Sequence, residues 1–178
     1  MKVKQMITGH DAEGNAIFLS DSEVTPVEVS MVPGYKTFEL WSTRGDRCLP
    51  HEGEFPGVPG YFPGRDGSVF RIIVLPPVAE GETGVEITEE GVAEMQQKLP
   101  GFVDHLELDN PGMHTTDSID YGLVIDGEVY LELDNGEERL MTQGDCVIQN
   151  GTRHAWRNRS GKPVTMAFVL LGAERKPG

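Results

Sequence analysis

Cysteine is nearly absent from this chain: Cys48 and Cys146 are the two among 178 residues, and neither belongs to a CxxC pair. Neither a disulfide framework nor a thiolate metal site is indicated, and each thiol is expected to act as a small buried hydrophobe. Basic side chains are also scarce, 15 Lys and Arg against 29 Asp and Glu, which leaves a formal charge of −14. A phosphate backbone would be repelled by that field, so nucleic acid is not an expected partner. Long apolar runs are missing too. The longest, Val164 to Ala173, is too short to span a bilayer, and Met1 to Gly14 lacks the apolar stretch of a secretory signal. The expected address is the cytoplasm, with no membrane partner. Hydrophobic residues at 38% and charged residues at 25% then place the chain among globular proteins, and its length suits a single domain over 1–178.

What the sequence has in quantity is glycine, 22 residues, and proline, 12, set between short apolar runs. From Ile119 the pattern is explicit. Ile119–Ile125, Val129–Leu133, Arg139–Met141, Val147–Ile148, Arg153–Asn158 and Pro163–Leu171 are separated by Asp126-Gly127, Asn135-Gly136, Gln143-Gly144, Asn150-Gly151 and Ser160-Gly161. Six strands at about eight-residue spacing are expected, with the Asp-Gly and Asn-Gly pairs forming type I′ hairpins, and a β-barrel or sandwich follows. In Val129–Leu133 the apolar side chains alternate with Tyr130 and Glu132, as in a strand packed on one face. The first half, 1–100, carries further strand candidates at Lys2–Thr8, Ala16–Ser20, Tyr35–Ser42 and Ser68–Leu75. One helix is predicted over Glu89–Leu99, capped by Thr88, closed by Pro100-Gly101 and packed outside the barrel. Residues 50–67 hold five glycines, four prolines and the aromatics Phe55, Tyr61 and Phe62. They read either as a flap over a barrel mouth or as a solvated connection.

Two histidines occupy matching places, His114 at the opening of the six-strand block and His154 at the opening of its fifth strand. Gly112-Met-His114, Thr116, Asp120 and Gly127, followed by Gly144-Asp145 and Gly151-x-x-His154-x-x-x-Asn158, resemble the two signature motifs of the cupin superfamily, G-x5-H-x-H-x3,4-E-x6-G and G-x5-P-x-G-x2-H-x3-N. The resemblance covers 111–171 and implies an all-β fold: a cupin jelly-roll barrel with one or two peripheral helices, often dimerised by exchange of N-terminal strands. Carried over residue by residue, it places His114 on the first histidine, Asp120 on the glutamate and His154 on the last histidine. Thr116 stands where a second histidine is usual, and Gln149 replaces the motif's proline.

Cupins with the complete set hold iron, manganese, zinc or nickel. The resemblance therefore implies His114, Asp120 and His154 as a possible divalent metal set, with His105 or His51 available to replace the missing ligand. The same three residues are the candidate catalytic acid and base. Thr116, Tyr121, Trp156, Asn158 and Arg71 are candidate substrate-binding residues: Trp156 and Asn158 share the strand face of His154, and Arg71 stands amid apolar neighbours, its fork suited to a carboxylate. A plainer reading keeps the two histidines as hydrogen-bonded core residues. The resemblance points to a small-molecule pocket serving isomerisation, dehydration, decarboxylation or ring oxidation of an oxygenated or aromatic metabolite. A non-catalytic binding cupin and an assembly module remain the alternatives.

Overall fold

A computed structural model describes residues 1–45, 47–78, 88–107 and 109–176. It contains eleven strands and one α-helix among those residues: β1 (Lys4–His10), β2 (Ala16–Glu23), β3 (Val27–Glu28), β4 (Lys36–Thr43), β5 (Ser68–Leu75), α1 (Glu89–Lys98), β6 (Ser118–Asp126), β7 (Glu128–Glu132), β8 (Glu138–Thr142), β9 (Cys146–Asn150), β10 (Ala155–Arg157) and β11 (Val164–Gly172). Six strands form one sheet in the order β3-β4-β5-β11-β6-β9, and β10-β7-β8 form the facing wall. All pairings are antiparallel. This is the all-β jelly-roll arrangement expected from the sequence.

The turns after Ile119 differ from the expectation in an informative way. Of the five, only Asn135-Gly136 joins two neighbouring strands, β7 and β8, and there both residues have positive φ, 61° and 70°, as a type I′ turn requires. The other four carry the chain from one sheet to the other. Gly127 shows why glycine is needed at such a corner: its φ is 87°, and a Cβ there would lie 3.1 Å from the Pro163 oxygen and the Val164 Cα. Asp126-Gly127 and Asn150-Gly151 are therefore corners rather than hairpins.

Alternation then fills the space between the walls. Ile73, Val124, Val129, Leu131, Met141, Val164, Met166, Phe168 and Leu170 form one buried cluster from both sheets. Helix α1 is capped as predicted, with the Thr88 hydroxyl accepting from the Gly91 N–H. It buries Met95 in a separate cluster with Val29, Tyr35, Tyr61 and Leu99, so it stands apart from the main core. Among the described residues the β1–β2 hairpin pairs only with itself. At its root Val3 packs with Phe38 and Leu40 on the outer side of the large sheet.

Candidate functional site

His114 and His154 face each other across an isolated bridge, each backbone N–H donating to the other's carbonyl at 3.0 Å. That reciprocal pair brings the two imidazoles to a centroid distance of 4.2 Å. Each ring is then fixed by its own backbone: Nδ1 of His114 lies 3.0 Å from the Gly112 carbonyl, and Nδ1 of His154 lies 2.8 Å from that of Thr152. A carbonyl oxygen only accepts, so in the neutral rings Nδ1 carries the proton and Nε2 carries the lone pair. Burial favours that neutral form. It pulls the His154 pKa down to about 4, helped by the neighbouring His114 and opposed by the Thr152 carbonyl. His114 is lowered as well, chiefly by burial and then by His105, against the Gly112 carbonyl and Glu107.

Aromatic rings surround the pair. Trp156 meets His154 edge-on at 6.0 Å and Phe168 at 5.6 Å. Phe62, from the glycine- and proline-rich segment, lies 6.2 Å from His114 and 4.5 Å from His105. His105 has its Nδ1 fixed to the Gly101 carbonyl at 2.8 Å, the same arrangement as the other two rings. His51 is exposed beside Trp41 and does not join them.

Asp120 is buried on the inner face of β6, but it does not complete a metal set with the histidines. Among the described residues no group of three His, Cys, Asp or Glu side chains is placed to hold an ion. Two imidazole Nε2 atoms fall short of the three protein ligands that even an open catalytic site uses, so this donor set does not fit a resident divalent metal and no step below is routed through one. Burial instead raises the Asp120 pKa to about 6, with the Ser118 hydroxyl and Arg71 pulling the other way. Its Oδ1 has no hydrogen-bond partner among the described residues.

Two of the candidate binding residues are placed elsewhere. Tyr121 is 47% exposed on the outer sheet face, because strand period two sends the residue after an inward Asp120 outward. Asn158 is buried but its amide is consumed locally: Nδ2 donates to the carbonyls of Leu75 and Lys162, and Oδ1 accepts from the Ser160 N–H and hydroxyl. It closes the turn into β11 rather than lining a pocket. Thr116 is buried and accepts from the Ser118 hydroxyl at 3.0 Å.

Arg71 is only 1% exposed and points inward, opposite Glu39 in the β4–β5 register. Its Nη2 lies 3.3 Å from the Glu39 carboxylate and donates to the Tyr61 carbonyl, while the guanidinium stacks 3.7 Å above the Tyr61 ring. Burial raises the Glu39 pKa against the pull of Arg71 and the Thr37 hydroxyl. The Tyr61 hydroxyl in turn shares a hydrogen bond of 2.7 Å with Tyr35. Glu39 and Tyr61 are two of the interior polar residues that sequence reasoning passed over. A signal existed for Glu39, a lone carboxylate between Phe38 and Leu40, matched by a lone arginine between Phe70 and Ile72.

Residues 108–170 match the family model described as a cupin domain. Three curated relatives align along nearly the whole chain. Phomopsin biosynthesis cluster protein C′ of Diaporthe leptostromiformis is 54% identical over 184 residues, covering 96% of this chain and 78% of its own length. Phomopsin biosynthesis cluster protein D of the same organism is 33% identical with the same coverage. The cupin-domain-containing oxidoreductase fogC of Aspergillus ruber is 31% identical over 177 residues, covering 96% and 72%. This chain belongs to the cupin superfamily, as a small single-domain cupin. Within it, its relatives include two proteins named for a phomopsin biosynthesis cluster and one named as a cupin-domain-containing oxidoreductase.

Proposed function

We propose that this cupin is an enzyme of small-metabolite biosynthesis in which the His114–His154 pair performs proton transfer on an oxygenated or aromatic substrate held inside the barrel. The observation that carries the reading is the pair itself: two neutral imidazoles at 4.2 Å, both with Nδ1 anchored to backbone carbonyls and both with an Nε2 lone pair left over. Anchoring fixes ring orientation before substrate arrives, so little reordering is needed at the moment of reaction. One Nε2 takes a proton from an acidic C–H or O–H group of the substrate. Two close imidazoles resist being charged together, and the proton leaves again to the product's new acceptor atom. Isomerisation, dehydration and decarboxylation all begin with or end on such a step.

Ring oxidation, with dissolved dioxygen as the co-substrate that takes up the electrons, is the second reading, favoured by the relative from Aspergillus ruber whose name is cupin-domain-containing oxidoreductase. In both, Thr116 and Trp156 form the walls, residues 50–67 act as the flap, and the protein works as a cytoplasmic homodimer.

The test is turnover of an extract or synthetic panel of oxygenated aromatic metabolites by the native chain and by His154→Ala. A loss of roughly 100- to 10,000-fold is expected, the usual worth of a positioned acid or base. Full activity in the variant sinks the proposal. Binding without turnover by the native chain identifies a non-catalytic ligand-binding cupin instead. Elemental analysis of untagged protein decides the metal question independently: a stoichiometric divalent ion overturns the metal-free proton-transfer reading.

A further inference from the structure

The unpartnered buried polar atoms of the described residues lie on one face of one sheet. Arg71 Nε and Nη1, Glu39 Oε2, Asp120 Oδ1 and Gln149 Nε2 belong to β5, β4, β6 and β9, and all four side chains lie on the inner face of the six-stranded sheet. Leaving a buried donor or acceptor without a partner is costly, most of all for a charged group. Such atoms need an explanation.

Donors outnumber acceptors, three N–H positions against two oxygens, and the strongest of the donors sit on a permanently charged guanidinium. Arg71 is paired with Glu39 through Nη2 at 3.3 Å, and Nη2 also donates to the Tyr61 carbonyl while the Tyr61 ring lies against the guanidinium. These contacts use one guanidinium nitrogen and leave Nε and Nη1 without an acceptor. The group that matches two unused N–H donors on a cation is one that only accepts and carries negative charge.

We infer that the barrel takes a substrate or ligand bearing a carboxylate, which binds Arg71 from inside the barrel through the unused Nη1 and through Nη2, where it replaces the Tyr61 carbonyl. The inference rests on the reading of the barrel interior as a small-molecule site, and it names the chemical class. Tyr61 belongs to the 50–67 segment and is linked to Tyr35 through their hydroxyls, so exchange at Arg71 and movement of that segment are one event. Arg71 is a binding residue here. The proton-transfer atoms remain those of the histidine pair.

The probes are three acid–amide pairs of matched shape: benzoate with benzamide, phenylacetate with phenylacetamide, and succinate with succinamide, titrated calorimetrically into the full chain. At least one carboxylate should bind ten-fold or more tightly than its amide. Glu39→Gln, which removes the competing carboxylate but keeps Arg71, should tighten the acid further. The double variant Glu39→Gln/Arg71→Gln removes both buried charges together and should abolish the preference; if that double fails to fold, the Glu39→Gln single decides. Equal or absent binding of acids and amides overturns the inference, as does a preference that survives the double variant or weakens in Glu39→Gln. His154→Ala should keep the acid preference. A preserved preference with turnover indifferent to His154 would refute the proton-transfer reading alone, whereas a lost preference with His154-dependent turnover would refute this one alone.

Discussion

At the scale of single residues, Asp120 and His154 are buried with opposite consequences for pH. Asp120 is held at about 6 against an ordinary 3.8, so the folded state retains its proton more firmly than the unfolded chain does. The resulting stabilisation is complete below pH 3.8 and is lost as pH rises through 6. Asp120→Asn removes the dependence, and its stability relative to the native chain should grow between pH 4 and pH 8 by up to about 3 kcal/mol. Urea unfolding at the two pH values measures it; a difference that does not change with pH would mean that Asp120 is ionised throughout.

His154 runs the other way. Its pKa is depressed from 6.5 to about 4, so its neutral form supports the fold above 6.5, and that support is lost as pH falls toward 4. The same depression predicts the shape of the rate profile. With a neutral imidazole as the base, kcat/KM should have its acid limb below pH 6.5 and a plateau above it, as followed by initial rates from pH 4 to 8. An acid limb above 6.5 would assign the base to another group.

At the scale of elements, strands were legible because turn residues bound them, and Ser68–Leu75 matches β5 to the residue. Which strand each turn leads to was not legible. A glycine with positive φ serves a hairpin and a sheet-to-sheet corner equally well, and only pairing through β11 decides that β6 and β7 lie in different walls. Arg71 was ambiguous for a related reason. Val69 and Ile73 on its own face are as apolar as Phe70, Ile72 and Val74 on the other, so alternation alone could not say which side was inside. Tyr121 was decidable, since an inward Asp120 already sends its neighbour out. The two-residue β3, Val27–Glu28, is too short to leave a periodic signal. Helix α1 was legible from its cap and gives a direct check. Ala93 is exposed in its middle, and Ala93→Gly should lower stability by about 1 kcal/mol in chemical denaturation while leaving binding unchanged, because position 93 faces solvent. A large loss of binding would contradict that placement.

At the scale of the whole molecule, the exposed face of the large sheet bears on assembly. Phe70, Val169, Tyr121 and Ile148 fall in one cross-strand row over β5, β11, β6 and β9. Phe70, Tyr121 and Ile148 are 40%, 47% and 54% exposed, and Ile119 and Leu123 flank them at 38% and 43%. Scattered apolar side chains need no explanation, but a contiguous row on a flat sheet is the kind of surface that a second subunit covers. A net charge of −14 opposes association at long range, so such a dimer would be held by apolar contact and strengthened by salt, which screens the repulsion. Light scattering should give about 39 kDa, twice the 19.6 kDa chain, at physiological salt. Tyr121→Lys with Ile148→Lys places two like charges in the row of each subunit and should shift the mass to that of one chain. Both side chains point away from the core, so the variant should keep the monomer fold and its circular dichroism spectrum. A monomeric native chain, or a dimer indifferent to the two lysines, would put the interface elsewhere and leave the exposed β1–β2 hairpin, with Phe18 at 70%, as the surface to test next.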